Sequence, residues 1–377
     1  MEPSNNQGRI FGLDLMRAAA ILLVLAGHCA WIFPSGNNIF TALMALSGFL
    51  GVEVFFVLSG FLIGRILLRA YMQSDFGIPE LLHFLKRRWW RTLPNYVLVL
   101  IINLVIAFFL NIPYRDLWQY FFFLQNFAWP MRPFFTESWS LSVEEFAYII
   151  LPLTLLLLGN QDKSRRFILA VVTLIMIFIA SKLMYHFSHG ATSIDDWNIG
   201  LKSVVLYRLD SIFIGIAAGW LQLRFPVMWR KARHFWLFAG FLLLLFYTFG
   251  VGKLGLFIER APFFWNVLYL PLASVMAACF LAGLSGWGAG PRTTEGPNSF
   301  TRAVTFIATI SYSIYLLHYG IVLQLMKQAV DTTSLSPPSA LVFTVSYFAI
   351  TIFLSALLYR FYEKPMMDKR EKWNGER

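Results

Sequence analysis

The first apolar run of this sequence, Gly12 to Phe33, carries Asp14, Arg17 and His28, three side chains that hydrocarbon does not welcome and that chemistry uses. On a helix the eleven-residue step from Arg17 to His28 returns nearly to one face and spans roughly 16 Å at 1.5 Å rise per residue. Asp14, three residues before Arg17, joins the same stripe. The three residues therefore predict a polar seam running most of the way through a membrane. A neutral imidazole at depth can take a proton from a hydroxyl, and a permanently charged guanidinium can hold a phosphate or pair with an acid.

Other reactive side chains punctuate the chain. The second apolar run, ALSGFLGVEVFFVLSGFLIG, holds Glu53 among small residues that suit close helix packing. An acid there needs a partner or a cavity. After it comes HFLKRRWWRTLP, read as a cytoplasmic loop, in which Arg88 and Arg91 stand one turn apart and could share a phosphate, or simply anchor the chain at the headgroups with Trp89 and Trp90. The stretch 112 to 140 is a long aromatic external loop ending at Glu137, Trp139 and Ser140. Its acids read either as helix-start chemistry, with Glu144 or Glu145 in the first turn, or as the lip of a site. Arg208 and Asp210 point to different sides of one helix, so they need partners on other helices, or one of them snorkels to an interface. His318 lies inside a ninth span, as a hydrogen-bonded interior residue or a second catalyst. A polar segment with His186, His189, Asp195 and Asp196 is weak as a metal site and reads as a solvated loop; no metal is expected.

Elements that position these residues follow from hydropathy. The 377 residues are 58% hydrophobic and 14% charged, with a mean hydropathy of +0.62. Ten runs of about 20 residues, near 12–33, 43–64, 94–111, 141–158, 166–184, 200–222, 235–250, 265–286, 303–326 and 340–361, predict an all-α polytopic membrane protein. With both termini cytoplasmic, Lys and Arg favour the internal segments over the external loops by about three to one; Lys182 and Lys202 count among the external ones. The net charge of +11 thus belongs to orientation in the bilayer and argues against nucleic acid as a partner. Cys29 and Cys279 sit in apolar runs and offer no disulfide framework. The first span is expected to be retained rather than cleaved, and residues 1–377 to form one membrane domain with no appended soluble domain.

Taken together these residues resemble the acyltransferase 3 family of integral membrane acyltransferases. The resemblance covers nearly the whole chain. It rests on GLDLMRAAAILLVLAGH, with the family's Arg-x10-His pattern as Arg17 and His28, then VEVFFVLSGFLIGR, Arg88 and Arg91 as the family's Arg-x-x-Arg, ESWSLSVEEF with Glu137 and Ser140, RLDSIFIG, and ISYSIYLLH followed by FYEKP. Glu53 stands where many members have Asp. The resemblance implies about ten membrane helices, an acyl group, usually acetyl, drawn from cytoplasmic acyl-coenzyme A, and an extracytoplasmic or lipid-linked glycan as acceptor, in a bacterial cytoplasmic membrane. It further implies that His28 and Arg17 are essential. On this reading His28 is the base or nucleophile, Glu137 orients it or binds an acceptor hydroxyl, and Arg17, Arg88 and Arg91 hold the donor. Its pantetheine arm would follow the seam of the first helix to His28. Asp14, Glu53, Trp139, Ser140, Arg208, Asp210 and His318 support the site. The competing class is a transporter or exporter of a glycan, which explains intramembrane charge as well but predicts no thioester chemistry.

Overall fold

The computed structural model describes residues 10–33, 39–73, 75–288, 298–332 and 335–375, and these are helical with no strand among them. The long helices are α1 (Phe11–His28), α2 (Ile39–Gln73), α3 (Ile78–Phe109), α4 (Trp139–Leu158), α5 (Lys163–Ser188), α6 (Leu209–Arg224), α7 (Arg233–Leu245), α8 (Tyr269–Leu284), α9 (Ser299–Leu317) and α10 (Pro337–Leu358). Nine helical stretches among the described residues are long and apolar enough to cross a bilayer. Large apolar side chains such as Phe109, Leu157, Phe187 and Phe238 point outward, as expected where lipid is the solvent.

Local chemistry sets several helix starts. The Asn298 side chain accepts the Thr301 N–H at 2.8 Å to open α9, and Ser336 with Pro337 opens α10. The Glu80 carboxylate accepts the Gly77 N–H at 2.9 Å at the head of α3.

Helix α2 is the spine of the bundle, with α1 against one side and α6 against another. Backbone meets backbone at both contacts. A Cβ on Gly60 would strike the Ile212 carbonyl of α6, and one on Gly215 would strike that of Val57, so only glycine permits this spacing.

The structure departs from the hydropathy reading in three places. The basic stretch HFLKRRWWRTLP is not a loop: it is helical within α3, which runs unbroken from Ile78 through Pro94. Its periodicity was hidden because hydropathy reports where lipid is, not where helix is. The sixth span begins at Leu209 rather than 200 and is 16 residues long. Ahead of it, residues 198–207 form a π turn and a 3-10 turn that bond the segment before α4: Val205 and Leu206 N–H donate to the carbonyls of Asn126 and Phe127 at 3.0 and 3.1 Å. Irregular backbone is tolerated at such a place only when protein covers it. Finally, Lys182 is no external-loop charge; it is fully buried within α5.

Candidate active site

The predicted donor-binding residues meet at one place. Arg17 of α1 and Arg88 and Arg91 of α3 line a cavity of about 300 Å³, with Ser59 and other α2 residues, Glu144 of α4, and Tyr312 and Tyr315 of α9 completing its walls. Arg88 and Arg91 do stand one turn apart on a helix, as the phosphate reading requires. The Arg88 guanidinium lies 4.4 Å over the Tyr148 ring, leaving its Nε–H without a partner. Tyr148 in turn bonds Ser59 and donates to Glu144 at 3.2 Å. Three cations and one carboxylate on an otherwise largely apolar cavity suit a polyanionic head with a long, mostly uncharged arm. The cavity does not follow the seam of α1, as the sequence reading expects. Only Arg17 of α1 lines the cavity; the remaining wall comes from α2, α3, α4 and α9.

Glu144 and Glu145 are not helix-start acids. They fall beyond the first turn of α4, and Glu145 is buried, accepting from Trp89 Nε1 at 3.1 Å and Thr92 Oγ1 at 3.0 Å. These bonds fix α3 against α4 and so fix the height of the arginines.

Tyr315 of α9 ties the cavity wall to the two histidines. Its hydroxyl bonds Ser140 Oγ at 2.6 Å and donates to the Glu137 carbonyl at 3.1 Å, while its own carbonyl holds His318 Nδ1 at 2.6 Å. His318 opens a π turn, His318–Leu323, that interrupts the helix after α9; such turns often mark functional sites. His28, the last residue of α1, sets its ring 4.8 Å from that of His318 and 4.6 Å from that of Tyr319. Glu137 does not reach His28. Its Oε1 accepts the Gly320 N–H at 3.0 Å, in the same π turn, and its buried Oε2 has no partner. Gly320 leaves room for both side chains: a Cβ would stand 2.6 Å from Asn103 Oδ1 and 2.7 Å from Glu137 Oε1, so one of these buried groups would have to move.

Glu53, Arg208 and Asp210 form a separate block. Arg208 pairs with Glu53 of α2, and Asp210 pairs with Lys182 of α5, all four fully buried. Ser274 and Ser211 donate to the same Glu53 oxygen at 2.9 and 3.2 Å. This block does not line the cavity. It abuts the site through Trp139, whose ring lies 6.0 Å from the Arg208 guanidinium and 5.8 Å from Lys202 Nζ. Asp14 is buried on α1, one turn before Arg17. Among the described residues no three His, Cys, Asp or Glu side chains gather as metal ligands.

Lys182, Tyr315, Tyr319 and Asn103 were not singled out from sequence. Lys182 had a signal, a lone cation near the end of the apolar run ILAVVTLIMIFIASK, but only its partner on another helix gives it meaning.

The site thus joins a cationic cavity in an all-helical membrane bundle to a pair of imidazoles, His28 and His318, that lie outside the cavity lining and are tied to it through Tyr315. The profile of the acyltransferase 3 family, described as an acyltransferase domain, matches residues 10–360, and the chain belongs to that family. The chain is similar to YrhL of Bacillus subtilis, provisionally named a peptidoglycan O-acetyltransferase, at 27% identity over 94% of this chain and 54% of that protein. Similarity extends to the O-acetyltransferase OatA of Staphylococcus aureus (24%; 95% and 57%) and the peptidoglycan O-acetyltransferase OatA of Listeria monocytogenes (25%; 94% and 55%). The chain thus spans little more than half the length of these relatives. No solved structure matches it.

Proposed function

We propose that this protein is a membrane O-acyltransferase that moves an acyl group, acetyl in the first instance, from cytoplasmic acyl-coenzyme A to a hydroxyl of an extracytoplasmic glycan, with peptidoglycan-type sugars the first acceptors to test. The observation that carries the reading is the convergence of Arg17, Arg88 and Arg91 on a cavity that Tyr315 also lines, the residue that holds His318 beside His28. The names of the relatives support the acceptor class and a bacterial membrane, and the bias of basic residues supports a cytoplasmic side for the arginines and so for the donor.

The arginines hold the phosphates of the coenzyme, and its arm extends along the cavity toward Tyr315. His28 takes the proton of the acceptor hydroxyl as that oxygen bonds to the thioester carbonyl carbon. Collapse of the tetrahedral species breaks the C–S bond, the electron pair leaves on sulfur, and the imidazolium returns its proton to the thiolate. The products are an ester and free coenzyme A. Glu137 shapes this site from behind through Gly320 rather than by touching His28.

The test is coenzyme A release from acetyl-coenzyme A by the purified chain in lipid nanodiscs, with His28→Ala beside it. The variant is expected to bind the donor and to lose turnover by about 10²–10⁴-fold, the usual worth of a general base. A variant with wild-type turnover would exclude this mechanism, and a wild-type chain releasing no coenzyme A would favour the transporter class. Rapid-quench mass spectrometry without acceptor separates direct transfer from an acyl-histidine relay: protein-bound acetyl in an active preparation would replace the direct route given above.

A further inference from the structure

Two ring nitrogens in this site are sealed from solvent and lack any hydrogen-bond partner: Nδ1 of His28 and Nε2 of His318. Orphaned buried polar atoms are rare and call for a reason. His318 is fixed from its other side, where Nδ1 meets the Tyr315 carbonyl at 2.6 Å. A carbonyl only accepts, so in the neutral ring Nδ1 carries the hydrogen and Nε2 a lone pair. An N–H···N bond of about 2.9 Å between imidazoles, whose nitrogens lie about 1.1 Å from the ring centres, sets those centres roughly 5 Å apart. The observed separation is 4.8 Å, with the planes at 62°. The ring centres thus already stand at the separation such a bond requires. Catalytic hydrogen bonds commonly tighten when substrate enters.

We propose that His318 is the positioning residue of His28: its Nε2 accepts the His28 Nδ1–H, which fixes the tautomer and leaves His28 Nε2 as the base facing the acceptor hydroxyl. The inference rests on the acyl-transfer reading. As His28 takes the hydroxyl proton on Nε2, the positive charge that develops is shared across the bond to His318, which itself gains and loses no proton over the cycle. An imidazole thus takes the place that a carboxylate holds in hydrolase triads. Glu137, which grips Gly320 two residues after His318, holds the turn that aims that imidazole.

The experiment uses the full chain in nanodiscs, with acetyl-coenzyme A as donor and water or chitotetraose as acceptor probe, for wild type, His318→Gln and His318→Phe. The glutamine amide oxygen can accept the Nδ1–H; phenylalanine cannot. The expected result is a kcat loss of about 10²–10⁴-fold in His318→Phe, with the donor KM within about twofold, and recovery of at least tenfold in His318→Gln. Equal losses in the two variants, or a change confined to KM, overturn the assignment while leaving the acyl-transfer reading intact. No coenzyme A release by wild type with either probe fails that reading itself, and this one with it. Should His318→Phe not fold, His318→Met replaces it under the same expectations.

Discussion

Removing the charge of Glu53 while keeping its shape, in Glu53→Gln, leaves the Arg208 guanidinium fully buried in the bundle without a counter-ion. Breaking a buried pair by removing one partner costs about 3–5 kcal/mol, which is roughly two to four orders of magnitude in the unfolding equilibrium. Three hydrogen bonds converge on Glu53, from Arg208, Ser211 and Ser274, so the change is felt at three donors at once. The pair itself is a different matter. Replacing both members with apolar residues of similar volume, Glu53→Leu with Arg208→Met, is expected to recover most of the loss, because it removes the desolvation cost of both ions together. The assay is an unfolding titration in mixed micelles for wild type, each single variant and the double, read as a thermodynamic cycle. A Glu53→Gln protein as stable as wild type, or a double variant no better than the worse single, would refute the claim that these charges are held by each other.

Two further outcomes follow from the same geometry. Gly320→Ala drives a Cβ against Asn103 Oδ1 and Glu137 Oε1; it is expected to cost about 1–3 kcal/mol of stability through overpacking and to lower coenzyme A release at least tenfold, since the turn also aims His318, and wild-type rates in a folded Gly320→Ala protein would show the turn to be irrelevant. Burial, aided by neighbouring Arg208, pushes the Lys202 ammonium down to about 8. The folded protein therefore sheds that proton through pH 8, while the unfolded chain keeps it to about 10.4, so this residue adds stability as pH rises across that window. Thermal melts from pH 7 to 10 should show the wild-type advantage over Lys202→Met growing with pH; a flat difference would contradict the shift.

The parts of this fold that are legible in sequence are those decided by transfer to lipid. Runs of twenty apolar residues gave the spans, and Arg17, Glu53, Arg208 and His318 announced themselves by standing where lipid would reject them. Hydropathy does not report hydrogen bonding. The polar stretch around Arg88 is helical because one side packs on α4, through Trp89 and Thr92 to Glu145, while residues 198–207 are irregular because Asn126 and Phe127 supply their carbonyls. Pairing was invisible for the same reason: nothing within the α5 sequence says that Lys182 faces Asp210, 28 residues away. The three arginines could be named singly, but their convergence on one cavity is a property of how α1 packs on α2 and α9 while α3 packs on α4 and α9.

The glycine contacts between α2 and α6 have a mechanical consequence. With Gly60 and Gly215 backbone to backbone and Glu53 clasping Arg208 above them, these two helices cannot slide or part without breaking steric and ionic locks together. The cavity wall that α2 provides is in effect an anvil. The opposite wall ends in the loosely wound turn after α9, where the ladder of helical bonds is already interrupted. The two sides of the cavity therefore differ in how firmly they are held: α2 is locked to α6 at several points, and any give falls on the α9 side.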